Sequence, residues 1–161
     1  MDDRKTFLIK NLNLQPHPEG GWFAETYRSE LNIHLDSGFT RSASTGIYFL
    51  LGSRDISRFH RIKSDEMWHH YEGSAIEIHI IHEDGLYECK TLGKSFEKGE
   101  TPQLVVPAGC WFGATVCDDE TYALVGCTVA PGFDFEDFEL ADRYQMLQAF
   151  PEHGEIVREL T

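Results

Sequence analysis

The chain has 161 residues, 41% of them hydrophobic and 12% aromatic, a length and balance that fit one globular domain over residues 1–161 and argue against a disordered chain. Acidic residues outnumber basic ones 27 to 14, for a formal net charge of −13; such a chain repels phosphate backbones and anionic bilayers, so neither nucleic acid nor membrane is an expected partner. Cys89, Cys110, Cys117 and Cys127 form no C-x-x-C pair and lie in or beside apolar runs, which reads as buried free thiols in a reducing, cytoplasmic setting. No signal-like N-terminus and no apolar run near 18 residues opposes that location.

In chain order, Asp2–Leu12 reads as a short helix, with acidic residues at its start and Leu8 and Leu12 one turn apart. It must end before the turn-rich Gln15-Pro16-His17-Pro18-Glu19-Gly20-Gly21. Strand-like runs follow at Trp22–Ser29, Thr45–Leu51, Ile56–Ile62, Met67–Glu72, Ala75–His82, Leu86–Thr91, Gln103–Val106, Trp111–Val116 and Thr121–Ala130. Gly, Asp, Pro or Ser separates most of them, which predicts an all-β barrel or sandwich. Alternation is clearest in Ile76-Glu77-Ile78-His79-Ile80, with the isoleucines on the core face and Glu77 and His79 on a solvated or interface face. After Pro131-Gly132 the spacing of Leu140, Tyr144 and Leu147 predicts a helix over Phe138–Phe150 capped by Asp137, and Pro151 opens a final helical stretch to Leu160.

Several catalytic signatures fail on inspection. Gly93-Lys94-Ser95 ends like a phosphate-binding loop, but Glu88 stands where its leading glycine belongs. G-x-G-x-x-G, H-E-x-x-H and G-x-S-x-G do not occur.

The stretch from Gly52 to Gly73 is the most informative. His60, Glu66 and Gly73 fall at the first-His, Glu and closing-Gly positions of the first cupin motif, and Pro107-Ala108-Gly109 matches the Pro-x-Gly of the second. The chain therefore resembles the cupin superfamily. Longer blocks, Pro16–Arg28, Phe59-His60-Arg61, Ser64–His69 and Ala130–Arg143, resemble an uncharacterised cupin family labelled "predicted sugar epimerase". The resemblance implies an all-β fold, a double-stranded β-helix (jelly-roll barrel) with flanking N- and C-terminal helices, and a homodimer. It also shows departures. Ile62 and Phe112 stand where the family places its second and third His, and Gly52 and Gly99 each sit two residues early. Two of four family metal ligands are missing, so no metal and no other cofactor is expected.

Strand parity puts Arg58, His60 and Ile62 on one face and Glu66, Trp68 and His70 on one face of the next strand. His60 and Glu66 can then meet across the hairpin. His70 lies four residues past Glu66, roughly 13 Å along an extended strand, too far to share an ion with it. Without metal, a His facing a carboxylate is a general-base arrangement. The leading expectation is a metal-independent epimerase or isomerase of a small sugar-like molecule, with His60 as base, Glu66 as its partner and Arg58 stabilising a developing enolate. Tyr27, Tyr48 and Tyr122 are candidate proton donors. Trp68, His70, Tyr48, Tyr27, Trp111 and Phe112 are the expected ligand-binding side chains, the tryptophans by stacking on a sugar face. Two other classes stay open: a non-enzymatic small-molecule-binding cupin, and a metal-dependent cupin enzyme with non-standard ligands.

Overall fold

A computed structural model describes residues 2–161. Helix α1 (Asp2–Asn11) leads into β1 (Gln15–Pro16), β2 (Trp22–Arg28), the short pair β3 (Asn32–His34) and β4 (Thr40–Ser42), and β5 (Thr45–Gly52). Then come β6 (Ser57–Arg61), β7 (Asp65–Gly73), β8 (Ile76–Ile81), β9 (Tyr87–Leu92), β10 (Gln103–Val106), β11 (Trp111–Val116), β12 (Tyr122–Ala130) and β13 (Glu139–Leu140). Helices α2 (Arg143–Ala149) and α3 (Gly154–Glu159) close the chain. A six-stranded sheet in the order β1-β2-β5-β12-β7-β10 faces a five-stranded sheet in the order β13-β6-β11-β8-β9. This is the jelly-roll sandwich with short flanking helices that the sequence predicts.

Alternation explains how the sheets close on one another. Ile76, Ile78 and Ile80 of β8 point inward with Phe112 and Ala114 of β11, and meet Phe49, Leu51, Trp68, Val125, Cys127 and Val129 from the opposite sheet. Strand β5 reads as one apolar run because both its faces are covered: Phe49 and Leu51 enter the core, while Leu50 packs outward against Leu8 and Leu14 beneath α1. On the far side, Phe59 and Ile81 are covered by Met146, Val157 and Leu160 of the C-terminal segment. His79 faces outward, as alternation requires, but it is buried beside Tyr87 rather than solvated.

The C-terminal helix is shorter than its apolar spacing predicts. Glu139 and Leu140 form β13 on the edge of β6, pairing with Arg61 and His60, so their backbone groups belong to a sheet and not to a helix. Asp142, not Asp137, caps α2 by accepting from the Gln145 N–H at 2.9 Å. Tyr144 is exposed and Met146 is the buried anchor. The thiols also divide: Cys110 and Cys127 are buried, whereas Cys89 and Cys117 are exposed.

Candidate functional site

The site begins with a hairpin loop. Gln15 and Pro16 pair with Phe23 and Trp22, and the loop between them is closed by His17 N–H to Gly21 O and Gly20 N–H to His17 O, each 3.0 Å. Gly20 adopts φ +112°, and a Cβ there would lie 2.1 Å from the Ile56 carbonyl oxygen, so the loop seats against the start of β6 only with glycine. Seating drives Glu19 inward until it is 5% exposed. Its Oε1 accepts from the Ser57 hydroxyl at 2.7 Å, and its Oε2 lies 2.9 Å from His60 Nε2.

Both ring nitrogens of His60 face acceptors: Nδ1 lies 2.7 Å from the Arg58 carbonyl, which can only accept, and Nε2 faces the Glu19 carboxylate. With Glu19 held ionised, both nitrogens carry protons, an imidazolium paired with a carboxylate. Burial works against either charge alone. The Glu19 charge nevertheless raises His60 above its ordinary pKa, and the His60 charge lowers Glu19 below its own. The neighbouring His17 accepts the Glu19 backbone N–H on Nδ1 at 3.2 Å and sits edge-on to Phe23; burial lowers its pKa, so it stays neutral.

Glu66 is the odd member. It is buried, projects from β7 into the same cavity, and has no ion-pair partner among the described residues. Burial pushes its carboxyl up to about 7, the Glu19 charge adds to the rise, and the His60 charge and a hydrogen bond from the Cys127 thiol pull the other way. The cavity holds about 250 Å³. Its inner end carries Glu19, His60, Glu66 and Cys127; Phe23, Phe49, Phe133, Phe135 and Phe138 line its sides. At the mouth, Arg28 makes a two-bond pair with Glu25 at 2.8 and 2.9 Å and donates to the Phe133 carbonyl.

The structure brings His60 and Glu66 to one cavity, but it changes their relation. The carboxylate bonded to His60 is Glu19, so Glu66 is not its orienting partner. Arg58 is not an anion-stabilising group in the cavity: its guanidinium donates to the Pro18 and Glu19 carbonyls and clamps the loop. The reason is a bulge. His60 pairs with Phe112 and Ser57 with Ala114, so two β6 residues oppose one of β11 and the side-chain alternation before His60 is broken.

Of the expected ligand contacts, Phe112 packs against the His60 ring with centroids 4.1 Å apart and forms a wall behind it. Trp68 points inward but is core, edge-on to Phe49 and Phe112, with its indole N–H unpartnered. His70 lies further along β7 and bonds the Ser74 carbonyl at 2.8 Å, away from the cavity. Tyr48 and Trp111 sit on outer faces, packed on Tyr71 and under Arg61 respectively, and Tyr27 is exposed. Tyr122, the third candidate acid, bonds Glu72 near α1. Glu19, His17 and the phenylalanines of 133–138 were not legible as site residues. They lie inside the two longest blocks of family resemblance, which was the one signal pointing to them.

The donor set does not fit the metal that the fold family commonly holds. Ile62 and Phe112, both buried, occupy the two missing ligand positions with hydrocarbon, and Glu19 and His60 are bonded to each other. Among the described residues, no three metal-ligating atoms converge in this cavity; the single such group lies elsewhere, at Glu77, His79 and Cys89.

Comparison with known proteins agrees with the fold. A family model described as "Cupin superfamily (DUF985)" matches residues 6–141. The uncharacterized protein YML079W of Saccharomyces cerevisiae is 32% identical over 144 residues, covering 81% of this chain and 71% of that one. A hypothetical protein from Leishmania major superposes with a TM-score of 0.92 at 35% identity, covering 97% of each chain. Protein SO0799 from Shewanella oneidensis superposes at 0.89 with 40% identity, covering 96% of this chain and 95% of that one. Bacillus subtilis oxalate decarboxylase shares the fold at a TM-score of 0.58 and 14% identity, over 91% of this chain and 36% of that one.

Proposed function

The chain belongs to the cupin superfamily, in the family described as DUF985, and from the cavity it carries we propose a metal-independent isomerase that moves a proton on a small, polar, sugar-like carbonyl compound. One observation carries the reading: Glu66, a buried carboxyl without an ion-pair partner among the described residues, faces the cavity beside an imidazolium already neutralised by Glu19. A carboxyl held near 7 exchanges protons at working pH, which is what general acid–base catalysis needs. His60 cannot be the base while Glu19 keeps it protonated. Its role is electrostatic, a fixed positive charge beside the site of developing negative charge.

The step balances as follows. Ionised Glu66 takes the proton from the carbon next to the carbonyl, and the electron pair moves onto the carbonyl oxygen as an enediolate in the field of His60. The neighbouring hydroxyl passes its proton to that oxygen while the same carboxyl returns the carbon-bound proton to the former carbonyl carbon, exchanging aldose-like and ketose-like forms. Inverting one carbon requires a second proton carrier on the opposite face. The Glu19–His60 and Arg28–Glu25 pairs are each locked, so isomerisation is favoured over epimerisation. A volume near 250 Å³ falls below the roughly 300–1,000 Å³ of drug-sized pockets, and it suits a single sugar ring against the aromatic walls.

Native mass spectrometry of the purified chain identifies a retained metabolite, and turnover of that compound in deuterated water then reads the chemistry. Deuterium is expected at one carbon, with the signal lost in Glu66→Gln while the fold is kept. Exchange persisting in that variant removes Glu66 as the proton carrier. The second reading, binding without chemistry, is favoured by the five phenylalanines on the walls; it predicts ligand-induced thermal stabilisation with no deuterium incorporated by the wild type.

A further inference from the structure

Strands β8 and β9 pair antiparallel with His79 directly opposite Cys89, and Glu77 two residues before His79 on the same outward face. The register therefore gathers an imidazole, a thiol and a carboxylate on the outer surface of the five-stranded sheet, with the isoleucine core on the other side. Their ligand atoms all lie within 4.8 Å of one another. We propose that Glu77, His79 and Cys89 form a binding site for a divalent ion of the zinc type, separate from the central cavity.

The donor types select the ion. Thiolate and imidazole favour a borderline-soft transition ion over calcium or magnesium, which take oxygen donors. Bonds of about 2.0–2.3 Å place tetrahedral donors about 3.3–3.8 Å apart, so the three groups close on an ion with small side-chain rotations. The surroundings are already those of a ligating histidine. His79 is 6% exposed, and its Nδ1 lies 2.8 Å from the Tyr87 hydroxyl. The ring is thereby held by one nitrogen, and Nε2 has only a long 3.4 Å contact with Thr115 to give up. A metal-bound histidine takes just such an oxygen partner on its far nitrogen. Cys89 is exposed, so the ion has an entry path and a fourth position open to solvent. Cys117, the other exposed thiol, lies outside the converging group.

Cobalt(II) is the probe, titrated into the full chain after chelator treatment. One equivalent is expected to produce a thiolate-to-cobalt charge-transfer band together with the intense visible bands of a tetrahedral centre, and zinc(II) should bleach both. Cys89→Ser, on an exposed position, should keep the metal-free melting temperature and lose the charge-transfer band; Cys117→Ser should retain it. His79→Asn should weaken cobalt binding by at least tenfold. Absence of the band, its survival in Cys89→Ser, or its loss in Cys117→Ser overturns the proposal.

Discussion

Glu66 sets a pH dependence whose sign follows from its burial. Its folded-state pKa of about 7 lies above the ordinary 4.5, so the native state holds that proton more tightly than the unfolded chain does. The resulting stabilisation is complete below about pH 4.5 and is lost as pH rises through about 7, amounting to about 3 kcal/mol at 1.36 kcal/mol per unit. Glu66→Gln, which cannot ionise, should therefore gain on the wild type by up to about that amount between those two values, read by urea denaturation across the range. His60 and Glu66 were legible at this scale because a motif spacing marks them. Glu19 was not, since nothing local to a Pro-x-Gly-Gly turn announces a carboxylate that will be buried against another strand. Arg58 was misplaced for a related reason: period-2 parity holds only until a bulge, and the Ser57–His60 bulge leaves no mark in the residue types.

Among the elements, the nine longer strands were readable to within about two residues at their ends, because each carries either alternation or a doubly buried apolar run and ends at a turn residue. The failures share one cause. The segments β1, β3, β4 and β13 are two or three residues long, too short for any period, and they exist because a neighbouring strand offers its edge. The hairpin loop between β1 and β2 has the greatest consequence, and Gly20→Ala tests it. The new Cβ meets the Ile56 carbonyl and a φ of +112° strains any other residue, at about 1–3 kcal/mol for the backbone alone. The displaced loop withdraws Glu19, and burial then lowers the His60 pKa where it was raised. Histidine titration by NMR should show that reversal; a His60 signal unchanged in the variant contradicts the coupling. Beyond the loop, Arg41 holds Asp137 by two bonds of 2.8 and 3.0 Å and so fixes the turn that carries Phe135 and Phe138 on the cavity's side.

At the scale of the whole molecule, helices cover opposite outer faces of the sandwich, and part of the six-stranded sheet remains open. Tyr27, Tyr71 and Val105 are exposed along it at 57%, 44% and 39%, and β10 ends it as an uncovered edge. Open edges and apolar outer faces are commonly closed by symmetric pairing, so we propose a homodimer built on this sheet. Sedimentation velocity at micromolar concentration should give a mass near twice 18.4 kDa, and Tyr71→Glu should return it to the monomer. A monomeric wild type contradicts the proposal.

The clamp on His60 arrives from the first two dozen residues, whereas the imidazole itself is planted in the middle of the chain. Without that hairpin in place the ring would face an empty slot, and burial would favour its neutral form. Docking supplies the missing anion, draws in a proton and switches the centre on. The charge at the centre is in this sense tied to the seating of that hairpin, whose carboxylate and the proton that answers it stand or fall together.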